Sequence, residues 1–168
     1  MVYAGQSVKA EDQPNGTLET IGDVLYIRKS STESVTSSTT VQDDDDFTFT
    51  LPVGTFEILM VLHVSAAEAA DIKVVHTFSG TALTTRSCIG AALAMTNRED
   101  TNAIFRGVAL TTEQSYGVDT TGATVVMEIL HAEVTVAGTW QVKWAQVASS
   151  ATATSCSTAS RMRIQRVA

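Results

Sequence analysis

Phe47, Phe49, Leu51 and Val53 alternate with Thr48, Thr50 and Pro52, the period of two that marks a strand with one face in a core. Gly54 punctuates the run. Beyond it Phe56, Ile58, Met60, Leu62 and Val64 take one face, and Thr55, Glu57, Leu59, Val61 and His63 take the other, which is itself partly apolar. Ile72, Val74, His76 and Phe78 alternate with Lys73, Val75 and Thr77, and residues 104–110 read as a further strand. Residues 125–136 form a second long strand with two mixed faces, Met127, Ile129 and His131 on one and Val126, Glu128, Leu130 and Val134 on the other. Trp140, Val142 and Trp144 then alternate with Gln141, Lys143 and Ala145, and the intervening Ala137-Gly138 predicts a hairpin between these two strands. Residues 24–27 and 161–167 read as the first and last strands.

The connecting pieces are less regular. Residues 1–23 carry Gly5, Pro14, Gly16 and Gly22 with scattered apolar side chains and no period, which predicts an extended arm or a frayed lead-in. Residues 30–40 are rich in Ser and Thr and suit a solvent-facing edge strand or a linker. Asp43–Asp46 places four like charges in a row, and their mutual repulsion predicts a turn. Residues 65–70 read as a connection, 88–95 fit either helix or strand, and 97–102, 111–122 and 149–160 read as loops or turns. About eight strands without helical crossovers predict an all-β fold, an antiparallel β-sandwich and most simply a jelly roll. The arm spans 1–23 and the sandwich domain 24–168.

Composition agrees with one soluble domain. The chain has 168 residues, within the range of a single domain, and 44% of them are hydrophobic. The net charge is −7, and the eleven Lys and Arg are spread thinly, whereas a phosphate backbone needs clustered cations, so nucleic-acid binding is not expected. The apolar run near residues 58–64 is too short to cross a bilayer, and the N-terminus shows no charged region followed by an apolar one, so neither a membrane nor a secretory route is expected. Cys88 and Cys156 lie far apart with no CxxC, and a cytoplasmic product keeps such thiols free.

Candidate chemistry is sparse. His63, His76 and His131 fall singly in strands with no metal-ligand spacing, which suits hydrogen-bonded or surface imidazoles. The Asp43–Asp46 run offers oxygen ligands for calcium but lacks the spacing of a calcium loop. No nucleophile elbow, P-loop or dinucleotide fingerprint occurs, and Glu57, Glu68, Glu128 and Glu133 are not placed as a catalytic pair. Trp140 and Trp144 share a face and serve either as core or as the stacking platform of a carbohydrate-binding module. No catalytic, cofactor-binding or metal-ligating residue is predicted, and the expectation is a protein that is not an enzyme.

Thr40-Val41-Gln42-Asp43-Asp44-Asp45 running into Phe47-Thr48-Phe49-Thr50-Leu51-Pro52-Val53 resembles a segment of tailed-phage virion proteins, in which a short acidic stretch precedes such a strand. The strand at 56–64, the stretch through Asp71-Ile72-Lys73, and the ending Trp140-Gln141-Val142-Lys143-Trp144 with 161–167 are similar too. The opening Ala4-Gly5-Gln6-Ser7-Val8-Lys9 resembles the lead-in of tail and virion proteins of actinobacterial phages. The resemblance implies a β-sandwich docked on a virion as an oligomer. The small size favours a capsid decoration protein on the outer surface of the head, assembled in the host cytoplasm and bound to the major capsid protein. A minor tail or receptor-binding protein is the alternative within the virion. Val2, Tyr3, Val8, Leu18 and Ile21 are then the arm's docking residues. Leu59 and Val61, with Val126 and Leu130, are the expected contacts of a homotrimer, because they give the sheets apolar surface beyond one core.

Overall fold

The computed structural model describes residues 18–67, 70–93, 102–119 and 124–168. The alternating runs become strands of two antiparallel sheets. The larger sheet runs in the order β1 (Val24–Arg28), β12 (Arg161–Arg166), β4 (Gly54–Ser65), β9 (Thr124–Val136), β6 (Thr81–Ala91) and β7 (Ala103–Val108). Two short strands, β2 (Glu33–Val35) and β11 (Thr154–Cys156), pair with each other, and β11 also pairs with the end of β4. The smaller sheet runs β3 (Gln42–Leu51), β10 (Gly138–Ala145), β5 (Ile72–Phe78) and β8 (Gln114–Tyr116). The inward residues of both sheets form one core, centred on Phe47, Leu51, Phe56, Met60, Ile72, Trp140 and Trp144. Strands β1-β12-β4-β9 against β3-β10-β5-β8 have the strand order of a jelly roll, and β6 and β7 extend the larger sheet past β9.

The predicted hairpin at Ala137-Gly138 is not formed. β9 lies in the larger sheet between β4 and β6, whereas β10 lies in the smaller sheet between β3 and β5. The chain therefore changes sheets at this corner, as it does at Ser79-Gly80 between β5 and β6. The two corners are packed on each other. A methyl group on Gly80 would sit 2.1 Å from the Val136 carbonyl oxygen, and one on Gly138 would sit 2.2 Å from the Gly80 nitrogen. Only glycine allows two backbones to approach this closely. A short linker between two alternating segments is thus compatible with a change of sheet as well as with a hairpin.

The acidic run is not a turn. Residues 43–46 lie inside β3, where Gln141 faces Thr48 but Lys143 already faces Asp43, so the extra residues of β3 form a bulge. Repulsion is relieved because Asp44 turns inward to a lysine while its neighbours stay towards solvent. The loop expected over 111–122 contains β8, the turn-like stretch over 149–160 contains β11, and 30–40 contains β2. The piece at 88–95 ends β6 as strand through Ala91, and its last residues lie outside the described ones. Both cysteines are free and buried, in different parts of the core.

Candidate functional site

The most elaborate polar arrangement lies between the sheets. Glu128 points inward from β9 and is fully buried. Arg86 of β6 meets it in a fork, with Nε 2.8 Å from Oε2 and Nη2 2.7 Å from Oε1. The Tyr116 hydroxyl of β8 donates to Oε1 at 2.6 Å, and His76 Nε2 of β5 lies 2.6 Å from Oε2. The indole N–H of Trp140, which can only donate, reaches His76 Nδ1 at 3.0 Å. Nδ1 is therefore an acceptor, and the ring's single proton sits on Nε2, where it is donated to Glu128. Arg86 spends its remaining donors on the carbonyls of Val74, Leu110 and Thr112.

Electrostatics follow from this geometry. Burial holds the His76 ring below its ordinary value against the pull of Glu128, so the ring is neutral. Burial works against the Glu128 carboxylate, but the His76 and Arg86 donors outweigh it and hold the group well below the usual carboxylate range. Burial and the Glu128 charge push the Tyr116 phenol and the Cys88 thiol upward. A histidine and a glutamate in contact are the elements of acid–base chemistry. Here both ring nitrogens and both carboxylate oxygens are engaged, and all four principal side chains are sealed between the sheets. The centre links the two sheets and is not open to a substrate.

A second centre surrounds Lys29, whose buried ammonium lies 2.7 Å from both Asp44 Oδ2 and Glu33 Oε2. The Trp144 indole donates to the same Asp44 oxygen at 3.0 Å, and Asp44 Oδ1 accepts the backbone N–H groups of Asp46 and Phe47. Burial would lower the Lys29 amine, but its hydrogen bonds to Asp44 and Glu33 raise it on balance, so it stays charged. The two tryptophans of β10 thus each donate to one buried charge centre. Their indoles are fully buried, which removes the stacking platform for sugars.

The outer faces differ. That of the smaller sheet carries Thr48, Thr50, Thr139, Gln141, Lys143 and Lys73. That of the larger sheet carries an apolar band set by the register. Leu59 lies beside Ile129, and Val61 beside Met127, which is followed by Ile89 and Phe105. Ile129 is 42% exposed and Phe105 76%. Arg163 and Arg161 of β12 flank the band opposite Leu59 and Val61, with Tyr26 and Arg28 of β1 beyond them. Glu57 and Glu133 lie at its other end, on either side of His131 at 3.8 and 3.5 Å. A cleft of about 320 Å³ opens between the edge strands β1 and β3, lined by Leu25, Ile27, Asp46, Phe49 and threonines.

Of the expected contact residues, Leu59 and Val61 lie half-buried on this open face. Val126 and Leu130 do not. Both are buried in the core, and the outward residues of β9 are Val125, Met127, Ile129, His131 and Glu133. Both faces of this strand are apolar in part, so its period alone does not tell the inner face from the outer, and the buried Glu128 marks the inner one. Val2, Tyr3 and Val8 lie outside the described residues. Leu18 is buried in this chain's own core, where its carbonyl accepts a hydrogen bond from Arg166, rather than reaching a neighbour; Ile21 is exposed. Arg86, Tyr116 and Lys29 were not anticipated by sequence reading. The only signal for Arg86 was a lone cation on the inward phase of Ala82, Thr84 and Cys88.

No protein-family model matches the chain, and no curated protein matches its sequence.

Proposed function

We propose that this chain is a non-enzymatic structural protein of a tailed-phage virion, a capsid decoration protein that binds the outer surface of the head. The observation that carries this reading is the asymmetry of the sandwich. Its polar chemistry is enclosed between the sheets as structural links, while the larger sheet turns a wide apolar band outward. An exposed patch of this kind marks an assembly surface. The segments that resemble virion proteins are also neighbours in the fold, since β3 pairs with β10, β10 with β5, and β4 with β12. Many copies on a shell turn a modest single contact into firm attachment.

Immunogold labelling of intact virions tests the reading. Label spread evenly over the head is the expected result. Label confined to the tail makes the protein a tail or receptor-binding component, and absence of label from every particle overturns the virion reading.

A further inference from the structure

We propose that the outer face of the larger sheet is covered by a second copy of this chain, with the strands of the two copies crossed at nearly a right angle. The argument is the layout of charge around the apolar band. Arg28, Arg161 and Arg163 form a column on one flank, level with Leu59, Val61, Met127 and Ile129. The carboxylates Glu57 and Glu133 lie further along the strands, in rows below the band. Two-fold symmetry demands that one surface complement itself. A two-fold axis running diagonally across the strands through Leu59 and Met127 meets that demand. It carries Arg163 over Glu57 and Arg28 towards Glu133 of the other copy. It also sets Val61 over Ile129, and Ile89 over Val125. Crossed packing of this kind is one of the two ways in which sheets pack face to face.

A three-fold arrangement with strands along the axis brings residues of equal height together. The arginine column would then meet the rows of Ser87, Ile89, Gly107 and Phe105, in which the described residues include no carboxylate. The size of the face is adequate. Six strands at about 4.8 Å and three outward rows at about 6.7 Å give about 580 Å² of flat area, which side-chain relief brings towards the ~800 Å² per partner of a stable interface. The inference deepens the virion reading by assigning the same assembly face to a second copy, and the oligomeric state tests it separately from whether the protein is found on particles.

The test is sedimentation equilibrium of the full chain over a wide concentration range, with circular dichroism confirming the fold of each variant. The wild type should be a dimer. Ile129→Glu and Val61→Glu should give folded monomers, and Val53→Glu, on an exposed loop away from the face, should leave the dimer intact. Arg163→Glu should weaken association about tenfold or more, since like charges then oppose each other. Adding Glu57→Arg to Arg163→Glu swaps both charges and should restore it. A monomer at every concentration, a trimer, a dimer indifferent to Ile129→Glu, or no rescue by the double swap each overturns the proposal.

Discussion

Replacing Glu128 by glutamine tests the claim that the carboxylate holds the sheets together. The substitution keeps shape and removes charge. It leaves the Arg86 guanidinium buried without a counter-ion, and it turns an NH₂ group towards hydrogen-bond donors. The neighbours cannot simply adapt. His76 cannot move its proton to Nδ1, because the Trp140 N–H occupies that position at 3.0 Å, so Nε2–H must keep pointing at residue 128. Breaking a buried pair by removing one partner costs about 3–5 kcal/mol. For 168 residues, an unfolding entropy of about 2.1 cal/mol/K per residue gives about 0.35 kcal/mol/K, so the melting temperature should fall by roughly 9–14 °C. Urea titration should show the same loss at an unchanged slope, because the surface exposed on unfolding is nearly unaltered. A loss below about 1 kcal/mol for Glu128→Gln would refute the reasoning, since it would mean that the carboxylate is hydrated as an exposed one is.

Other consequences are equally concrete. Stability should fall on acidification in two stages. The His76 ring is held below its ordinary value of 6.5, so unfolding takes up a proton as the pH drops below 6.5; Glu128, held at about 2, adds a second uptake below its ordinary 4.5. Each proton contributes a slope of about 1.4 kcal/mol per pH unit, to be read from denaturant midpoints between pH 7 and 3. Lys29→Met should lower stability by about 3 kcal/mol or more because Asp44 loses its buried partner, and it should release the β3 bulge to faster amide exchange. Gly80→Ala should destabilise strongly, since the new methyl would lie 2.1 Å from the Val136 oxygen, whereas Gly107→Ala meets nothing closer than 3.7 Å and should be nearly neutral in a thermal melt. Both cysteines should resist thiol reagents until the chain unfolds, because burial raises their thiols and closes access.

The jelly-roll sandwich was legible because its long strands obey a period of two over many residues. Phe47 to Leu51 and Phe56 to Val64 need no tertiary information to be assigned a core face, and each lies as expected; the period puts Trp140 and Trp144 on one face, and the packing of the second sheet makes that face core. What failed to read was whatever depends on long-range pairing. β6 is poor in apolar residues because one of its inward positions is Arg86, which makes sense only beside Glu128, 42 residues away. β8 and β11 are too short to show a period. The corner at Gly138 looked like a hairpin because its glycine is needed for contact with Gly80, a neighbour that local sequence does not reveal. Asp44 likewise belongs inside only because Lys29 and Trp144 are already there.

The phase of β9 shows why a sandwich buries charge where leucine would be less costly. Over residues 125–130 a one-residue slip would carry Val125, Met127 and Ile129 inward in place of Val126, Glu128 and Leu130, and only further along would it trade Ala132 and Val134 for His131 and Glu133. Over that first half the hydrophobic pattern alone does not choose between the two registers, and a stretch with two apolar faces is prone to slippage. The charge centre does choose. In the slipped register Glu128 would face water, and Arg86, Tyr116 and the His76–Trp140 pair would be left buried with donors unmet. Leaving such groups unmet costs about 1–3 kcal/mol each, and more for the guanidinium. The centre spans β9 and β6 of one sheet and β5, β8 and β10 of the other, so the same bonds also fix which faces meet. With the inner phase secured by ions, the outer phase of β9 is free to be apolar. Met127 and Ile129 can therefore be presented to a partner without putting this chain's own fold at risk.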